Sequence, residues 1–322
     1  MKNCITVSLQ AFKMEWEDML PAYTKCELCP RGCKVNREAE QTGVCGVSSN
    51  LKVARAALHY WEETCISGTN GSGAVFFSGC SMHCVFCHNR EIANGFVGKE
   101  ISRERLSDIF LELQGQGANN INLVTPGHYV PHIVWAVEQA RNQGLHVPIV
   151  YNTSSYEKVD TLKQLEGIVD VYLPDFKYWD SQTAQKYSNA PDYPEVARAA
   201  IAEMVRQQPT VKFIYDRQQE VDLIQKGVIV RQLLLPGQLK DAKRIVKFLH
   251  ETYGNQIYLS LMSQYTPLAH VEKYPELNRK VDRRTYERYI DYAIEIGVEN
   301  GFIQEEDVAE ESFIPMFDGE GV

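Results

Sequence analysis

The sequence predicts an α/β fold, a partial (β/α)6 TIM-like barrel with a small N-terminal cysteine-rich metal-binding module. Three observations carry this. From Ala74 onward short apolar runs alternate with helical stretches, the rhythm of βα units around a parallel sheet. Six such units can be read, too few to close an eight-stranded barrel, so an open barrel with room for a large substrate is expected. Ahead of them Cys26, Cys29, Cys33 and Cys45 crowd together among Pro30, Gly32, Gly43 and Gly46. The boundaries that follow are 1–50 for the module, 51–73 for a linker, 74–305 for the barrel and 306–322 for an acidic tail.

Taken in order, the chain first shows an amphipathic pattern around Phe12, Trp16 and Leu20 that reads as a short helix stopped by Pro21. Residues 46–73 lead to the first strand and end in GTNGSG, a flexible turn; no Gly-Lys-Ser/Thr follows, so it is not a phosphate loop. Glu62 and Glu63, just before it, read as a solvated acidic face. The strands are expected at 74–77, 121–125, 147–152, 168–176, 227–235 and 256–262. Between them, Ser102 caps a helix over 102–116 whose stripe is Leu106, Ile109, Phe110 and Leu113. Further helices are expected at 132–143, 157–166, 195–207, 239–253 and 284–297. The glycine-tipped tail reads as a surface wrap or as disordered.

With 322 residues, 44% of them hydrophobic, the chain can bury a large core. A net charge of -9 disfavours an electrostatic grip on nucleic acid or an anionic membrane. No apolar run approaches the ~18 residues of a membrane span. The start MKNCITVSLQAFKMEW lacks the basic and apolar regions of a secretory signal, so a cytoplasmic protein is expected. In a reducing compartment nine cysteines read as metal ligands rather than as disulfides.

GCSMHCVFCHN, residues 79–89, sets Cys80, Cys84 and Cys87 on the loop after the first strand. Three thiolates can cover one face of a metal centre and leave a position open. Iron–sulfur clusters normally take four thiolates and closed zinc sites four ligands, so another group supplies the last bond; for zinc, His83 or His88 could do so. The earlier set, Cys26, Cys29, Cys33 and Cys45, can close a metal shell by itself, either tetrahedral zinc or a second iron–sulfur cluster. Barrel chemistry gathers at the C-terminal ends of strands, which singles out Thr125–Tyr129, Asn152–Ser154 and Pro174–Lys177. Lys177 can pair with a carboxylate and Asp175 with a cation or hydroxyl; a helix-capping salt bridge is the plainer reading. Arg231, on an otherwise apolar strand, must point into the lumen or find a partner. His128, in a Pro-Gly turn, is either a hydrogen-bonded surface residue or faces a ligand, and Gln264 and Tyr265 are equally open.

The x3/x2 cysteine spacing, with Phe86 just before the last cysteine, resembles the signature of the radical S-adenosylmethionine (SAM) superfamily. That resemblance implies a [4Fe–4S] cluster whose fourth iron is chelated by the amino and carboxylate groups of SAM. TPGHY, NTS, PDFK, RQLLLPG, LMSQYTP and GFIQE resemble the glycyl-radical-enzyme activase branch, most closely the homologues of pyruvate formate-lyase activating enzyme. The resemblance covers about 250 residues, and CPRGC…GVCGV resembles the N-terminal module common in that group. The resemblance implies SAM contacts at Phe86, at Thr125, Pro126 and Gly127, where the family has Gly-Gly-Glu, at Asn152 and Thr153, at Asp175 and Lys177, and at Arg231. It also implies cluster tuning by neighbours such as Asn89, and a reductant such as flavodoxin or ferredoxin.

The reaction implied is reductive cleavage of SAM to a 5′-deoxyadenosyl radical that abstracts hydrogen, with a protein or peptide as one substrate class. Activation of a glycyl-radical enzyme is one reading. The extra thiols stand before the barrel, whereas activases with extra clusters carry them after the SAM-cluster motif, so radical modification of another peptide or small molecule is an equal reading. A non-catalytic iron–sulfur or zinc protein is the alternative from a different class.

Overall fold

The computed structural model describes residues 21–268, 271–303 and 315–322; the helix expected around Phe12, Trp16 and Leu20 lies outside them. One sheet organises the chain. Its strands are β1 (Lys52–His59), β2 (Ser72–Phe77), β3 (Lys99–Glu100), β4 (Ile121–Val124), β5 (Ile149–Thr153), β6 (Val171–Pro174), β7 (Lys212–Asp216), β8 (Val221–Leu233), β9 (Tyr258–Met262) and β10 (Gly301–Ile303). The order is β10-β9-β8-β6-β5-β4-β2-β1-β3, with β7 hairpinned onto β8. From β2 to β10 along this path every pairing is parallel, while β1 pairs antiparallel with β2 and β3. The fold is thus an unclosed, mostly parallel α/β barrel.

The helices are α1 (Pro21–Thr24), α2 (Thr64–Ser67), α3 (Arg90–Ala93), α4 (Arg103–Gly115), α5 (Val130–Asn142), α6 (Val159–Lys163), α7 (Ser181–Ser188), α8 (Tyr193–Gln207), α9 (Leu239–Tyr253) and α10 (Arg283–Glu295). Local chemistry sets their ends. Ser102 accepts the Arg105 N–H at 3.1 Å and opens α4, whose apolar stripe is fully buried. Asp180 caps α7 through the Thr183 N–H at 2.7 Å, and Asn189, at φ 47°, ends it in the left-handed conformation. Among the described residues no helix is long and apolar enough to cross a membrane.

The strand period of two sorts side chains between the layers. Val75 and Phe77 face the helices and join the main core, whereas Ala74 and Phe76 face inward with Ala54, Ile92 and Val124. Because β2 is covered on both faces, all six of its residues are buried.

Four strands depart from the sequence expectation: β1, the two-residue β3, β7 and β10. Residues 51–73, expected as a linker, carry β1 and α2; KVARAALH is alanine-rich and weakly alternating, and its extended form comes from pairing with β2. The exposed hairpin strand β7 and the three-residue β10 are too polar or too short to show as periodic runs. At the C-terminus, residues 315–322 return to β1: the Gly319 N–H donates to Ala54 at 3.1 Å, the Ala56 N–H to Glu320 at 2.9 Å, and Phe317 packs on Phe76.

Candidate metal and cofactor centre

The loop after β2 is shaped by backbone conformation. Gly79 sits at φ 91°, and a Cβ there would meet the Cys45 carbonyl oxygen at 2.7 Å, so only glycine lets the loop lie against the module. The Cys80 N–H then donates to that same carbonyl at 3.2 Å. Donors converge on the sulfurs. The Met82 amide lies 3.4 Å from Cys80 Sγ, and the Ser188 hydroxyl donates to Cys84 Sγ at 3.0 Å, backed by Tyr178 Oη at 2.7 Å from Ser188 Oγ. The Asn89 backbone amide serves Cys87.

Burial pushes the Cys80 thiol up and the Cys87 thiol up to about 12, with the neighbouring thiols adding to this and Lys177 opposing it. Ionising them in place requires a positive centre, which a metal supplies. Lys177 stands beside the loop. Burial alone would lower its pKa, but Asp175 and the Cys84 and Cys87 sulfurs outweigh that and hold it charged; its Nζ lies 2.5 Å from Asp175 Oδ2. The pair sits in the loop after β6, while Asp180 caps the next helix. Phe86 is buried between Tyr178 and Tyr265, each ring centroid 6.3 Å away. The Tyr265 hydroxyl donates to the Leu277 carbonyl at 2.7 Å, and Gln264 is half-buried.

The turn after β4 begins with Thr125 at φ 58°, its N–H bonded to the Asn152 carbonyl at 2.9 Å, followed by buried Pro126 and Gly127. A Cβ on Gly127 would collide with both carboxylate oxygens of Glu157. Glu157 accepts hydrogen bonds from the Thr153 hydroxyl at 2.6 Å and the Tyr151 hydroxyl at 3.3 Å, and burial raises its pKa to about 7. Thr153 therefore spends its hydroxyl behind the turn, on the helix-facing side, and Asn152 faces the lumen. His128 is buried. Its Nε2 lies 2.8 Å from the Ser78 carbonyl, which ties the β4 turn to the end of β2, and burial lowers its pKa to about 3.

The acidic pair corrects the expectation of a solvated face. β1 delivers Glu62 and Glu63 into the lumen, where α2 places Cys65 and Ile66 against Val150, Val171 and Ile229. Arg231 Nε donates to Glu63 Oε1 at 2.9 Å and Nη2 to Glu63 Oε2 at 2.7 Å and to Glu62; the three side chains are 10% exposed or less. Glu62 Oε1 also accepts from Asn122 at 2.9 Å and Asn152 at 3.3 Å. Arg231 thus points inward and is held by two carboxylates, and among the described residues the buried Asn122 Oδ1 has no hydrogen-bond partner.

The module is a small hairpin. The Cys26 N–H bonds Val35 and the Lys34 N–H bonds Cys26, both at 2.9 Å, and the Val44 amide lies 3.4 Å from Cys33 Sγ. The Arg31 amide serves Cys29, whose thiol burial pushes up to about 12. Two arginines that no sequence motif marks dock it. Buried Arg37 donates to Ser48 at 2.6 Å and His128 at 2.7 Å and lies over Tyr23 and Tyr129. Arg31 donates to Ser81 of the cysteine loop at 2.8 Å and to the terminal carbonyls of α7, Ser188 at 3.0 Å and Asn189 at 2.5 Å. His83 adds its Nε2, 2.6 Å from the Val44 carbonyl.

Amide and hydroxyl donors aimed at sulfurs suit thiolates that hold an iron–sulfur centre, and both cysteine sets have them. Among the described residues, no three His, Cys, Asp or Glu side chains converge on a single-ion site.

The sequence model of the radical SAM superfamily matches residues 74–216. The uncharacterized protein MJ0674 of Methanocaldococcus jannaschii is 27% identical over 282 residues, covering 85% of this chain and 74% of its own. Among solved structures, Streptococcus suis SuiB bound to S-adenosylmethionine superposes with a TM-score of 0.47 at 15% identity, over 70% of this chain and 48% of SuiB, so the chain spans about half of that protein. A domain of pyruvate-formate lyase-activating enzyme from Bacteroides vulgatus gives 0.41 at 15% identity, over 58% of this chain and all of that domain.

Proposed function

Because residues 74–216 match the radical SAM superfamily, whose cofactors are a [4Fe–4S] cluster and SAM, we propose that Cys80, Cys84 and Cys87 hold the cluster and that SAM binds on its open side. When bound, the pair supplies one-electron cleavage of the sulfonium C–S bond to methionine and a 5′-deoxyadenosyl radical, which takes hydrogen from a substrate. The observation that carries the assignment is the loop itself: three cysteines with hydrogen-bond donors on their sulfurs, Lys177 beside them and no fourth thiol in the set.

The chain's own residues supply placement. The carbonyls of Thr125 and Gly127, with that of Pro126 alongside the Tyr129 N–H it already accepts at 2.8 Å, would receive the SAM ammonium, Glu157 packing against Gly127 from behind. Asn152, Asp175 and Lys177 line the lumen beside it, and the ion pairs of Arg231 hold the floor below. Phe86, packed between two tyrosines, fixes the loop. Cys26, Cys29, Cys33 and Cys45 hold a second iron–sulfur cluster. The reductant is a low-potential protein of the flavodoxin or ferredoxin kind, and the substrate is a peptide segment, with activation of a glycyl-radical enzyme as the specific case. The unclosed sheet supports this, since it leaves the lumen open to a chain segment.

Anaerobic reconstitution tests the assignment. The reduced protein gives a [4Fe–4S]+ paramagnetic resonance signal that shifts when SAM is added, and the shift disappears in Cys87→Ala. A signal indifferent to SAM in the wild type contradicts SAM binding at the cluster. For the glycyl-radical case, a peptide deuterated at the loop glycine passes deuterium into 5′-deoxyadenosine; failure of transfer leaves SAM cleavage standing and removes that substrate.

A further inference from the structure

The contact between the two cysteine sets is made at the cysteines themselves. The Cys80 amide, on a ligand of the SAM-binding cluster, donates to the carbonyl of Cys45, on a ligand of the module, at 3.2 Å. A continuous path therefore runs from Cys45 Sγ through its Cβ, Cα and carbonyl, across one hydrogen bond, and through the Cys80 amide, Cα and Cβ to Cys80 Sγ.

The surrounding backbones hold this contact closed. A Cβ at Gly79 would strike the Cys45 oxygen at 2.7 Å, one at Gly46 the Asn94 oxygen at 2.6 Å, and one at Gly95 the Gly46 oxygen at 2.6 Å. His83 and Arg31 clamp the same seam through the Val44 and Ser81 carbonyls. Exposure is also graded: Cys45 and Cys26 are buried, while Cys29 and Cys33 are partly exposed and Val44, whose amide serves Cys33, is 45% exposed.

Resting on the reading that both sets hold clusters, we infer that the module is the electron entry of the enzyme, taking electrons at its Cys29/Cys33 side and passing them through the Cys45–Cys80 hydrogen bond. A flavin or iron–sulfur protein donor loses one electron and the module cluster is reduced by one. That electron moves to the SAM-binding cluster and enters the SAM sulfonium C–S bond, which breaks to methionine and the 5′-deoxyadenosyl radical. No proton moves in the relay.

The full-length reconstituted protein tests this with a magnetic and a kinetic readout. The wild type is expected to carry about eight irons and, fully reduced, to show two resonance signals broadened by mutual spin coupling. Cys26→Ser/Cys33→Ser is expected to carry about four irons and one uncoupled signal. Its 5′-deoxyadenosine formation with a flavodoxin donor should fall about tenfold further than with titanium(III) citrate, which needs no docking site. Gly79→Ala keeps all seven thiols but pushes the Cys45 carbonyl away, so about eight irons with weakened coupling are expected. Eight irons with uncoupled wild-type signals, or equal losses with both reductants, overturn the relay and leave the second cluster standing. One zinc and four irons overturn the second cluster itself.

Discussion

Arg231 shows what a single residue does in this lumen. It neutralises two carboxylates delivered by a different part of the chain, and both sides of the pair are largely out of water. Removing one partner of such a set leaves unpaired buried charge, so Arg231→Met is expected to cost about 3–5 kcal/mol in denaturant unfolding. The triple change with Glu62→Gln and Glu63→Gln should recover most of that loss; no recovery contradicts the ion-pair account. Glu157 carries the pH dependence. Folded, it keeps its proton to about pH 7, while in the unfolded chain it releases it near 4.5, so its favourable contribution is full below pH 4.5 and lost as pH rises through 7. Glu157→Gln is therefore expected to match the wild type at pH 4 and exceed it at pH 8 by up to about 3 kcal/mol; a constant difference across that range contradicts it. Cys80, Cys84 and Cys87, and the Asp175–Lys177 pair, were visible as candidates in the sequence because each is a pattern of short spacing; the structure sets Lys177 Nζ 2.5 Å from Asp175 Oδ2 and beside the cysteine loop. Glu62 and Glu63 were not, since their partner is 168 or more positions away and only the course of β1 brings them to it.

Among the elements, the seam between the module and the cysteine loop matters most. Arg31 spans it with donors to Ser81, Ser188 and Asn189, using its charge at the C-terminal end of α7. Arg31→Met should loosen that seam by about 2 kcal/mol, seen as faster amide exchange in residues 79–89 and 181–189 with the rest of the barrel unchanged. Uniform exchange throughout would show that the seam does not depend on Arg31. The long periodic elements could be read from sequence nearly to the residue, α9 falling at 239–253 as the apolar spacing indicates. β1 could not, because an alanine-rich segment becomes a strand only when a neighbour supplies its hydrogen bonds. Ser188 was equally hidden. Nothing in its local sequence marks it, and its hydroxyl reaches Cys84 only because α7 ends at the loop.

At the scale of the whole molecule, the open barrel, its parallel order and the placement of the cysteine loop at the mouth followed from counting βα units. The seventh parallel strand and the return of the C-terminus to β1 did not, because both are fixed by distant pairing. What the assembled molecule offers is a three-thiol site facing a polar lumen, Cys84 buried and Cys80 and Cys87 partly buried, with a second thiol set one hydrogen bond away. A site of this kind is expected to cleave SAM, and formation of 5′-deoxyadenosine is the most direct measure of that. Anaerobic, reconstituted wild type with dithionite and SAM is predicted to form 5′-deoxyadenosine and methionine, and Cys84→Ala to lose this by more than about a hundredfold. Absence of 5′-deoxyadenosine from the fully iron-loaded wild type, or its equal formation by Cys84→Ala, would contradict the account.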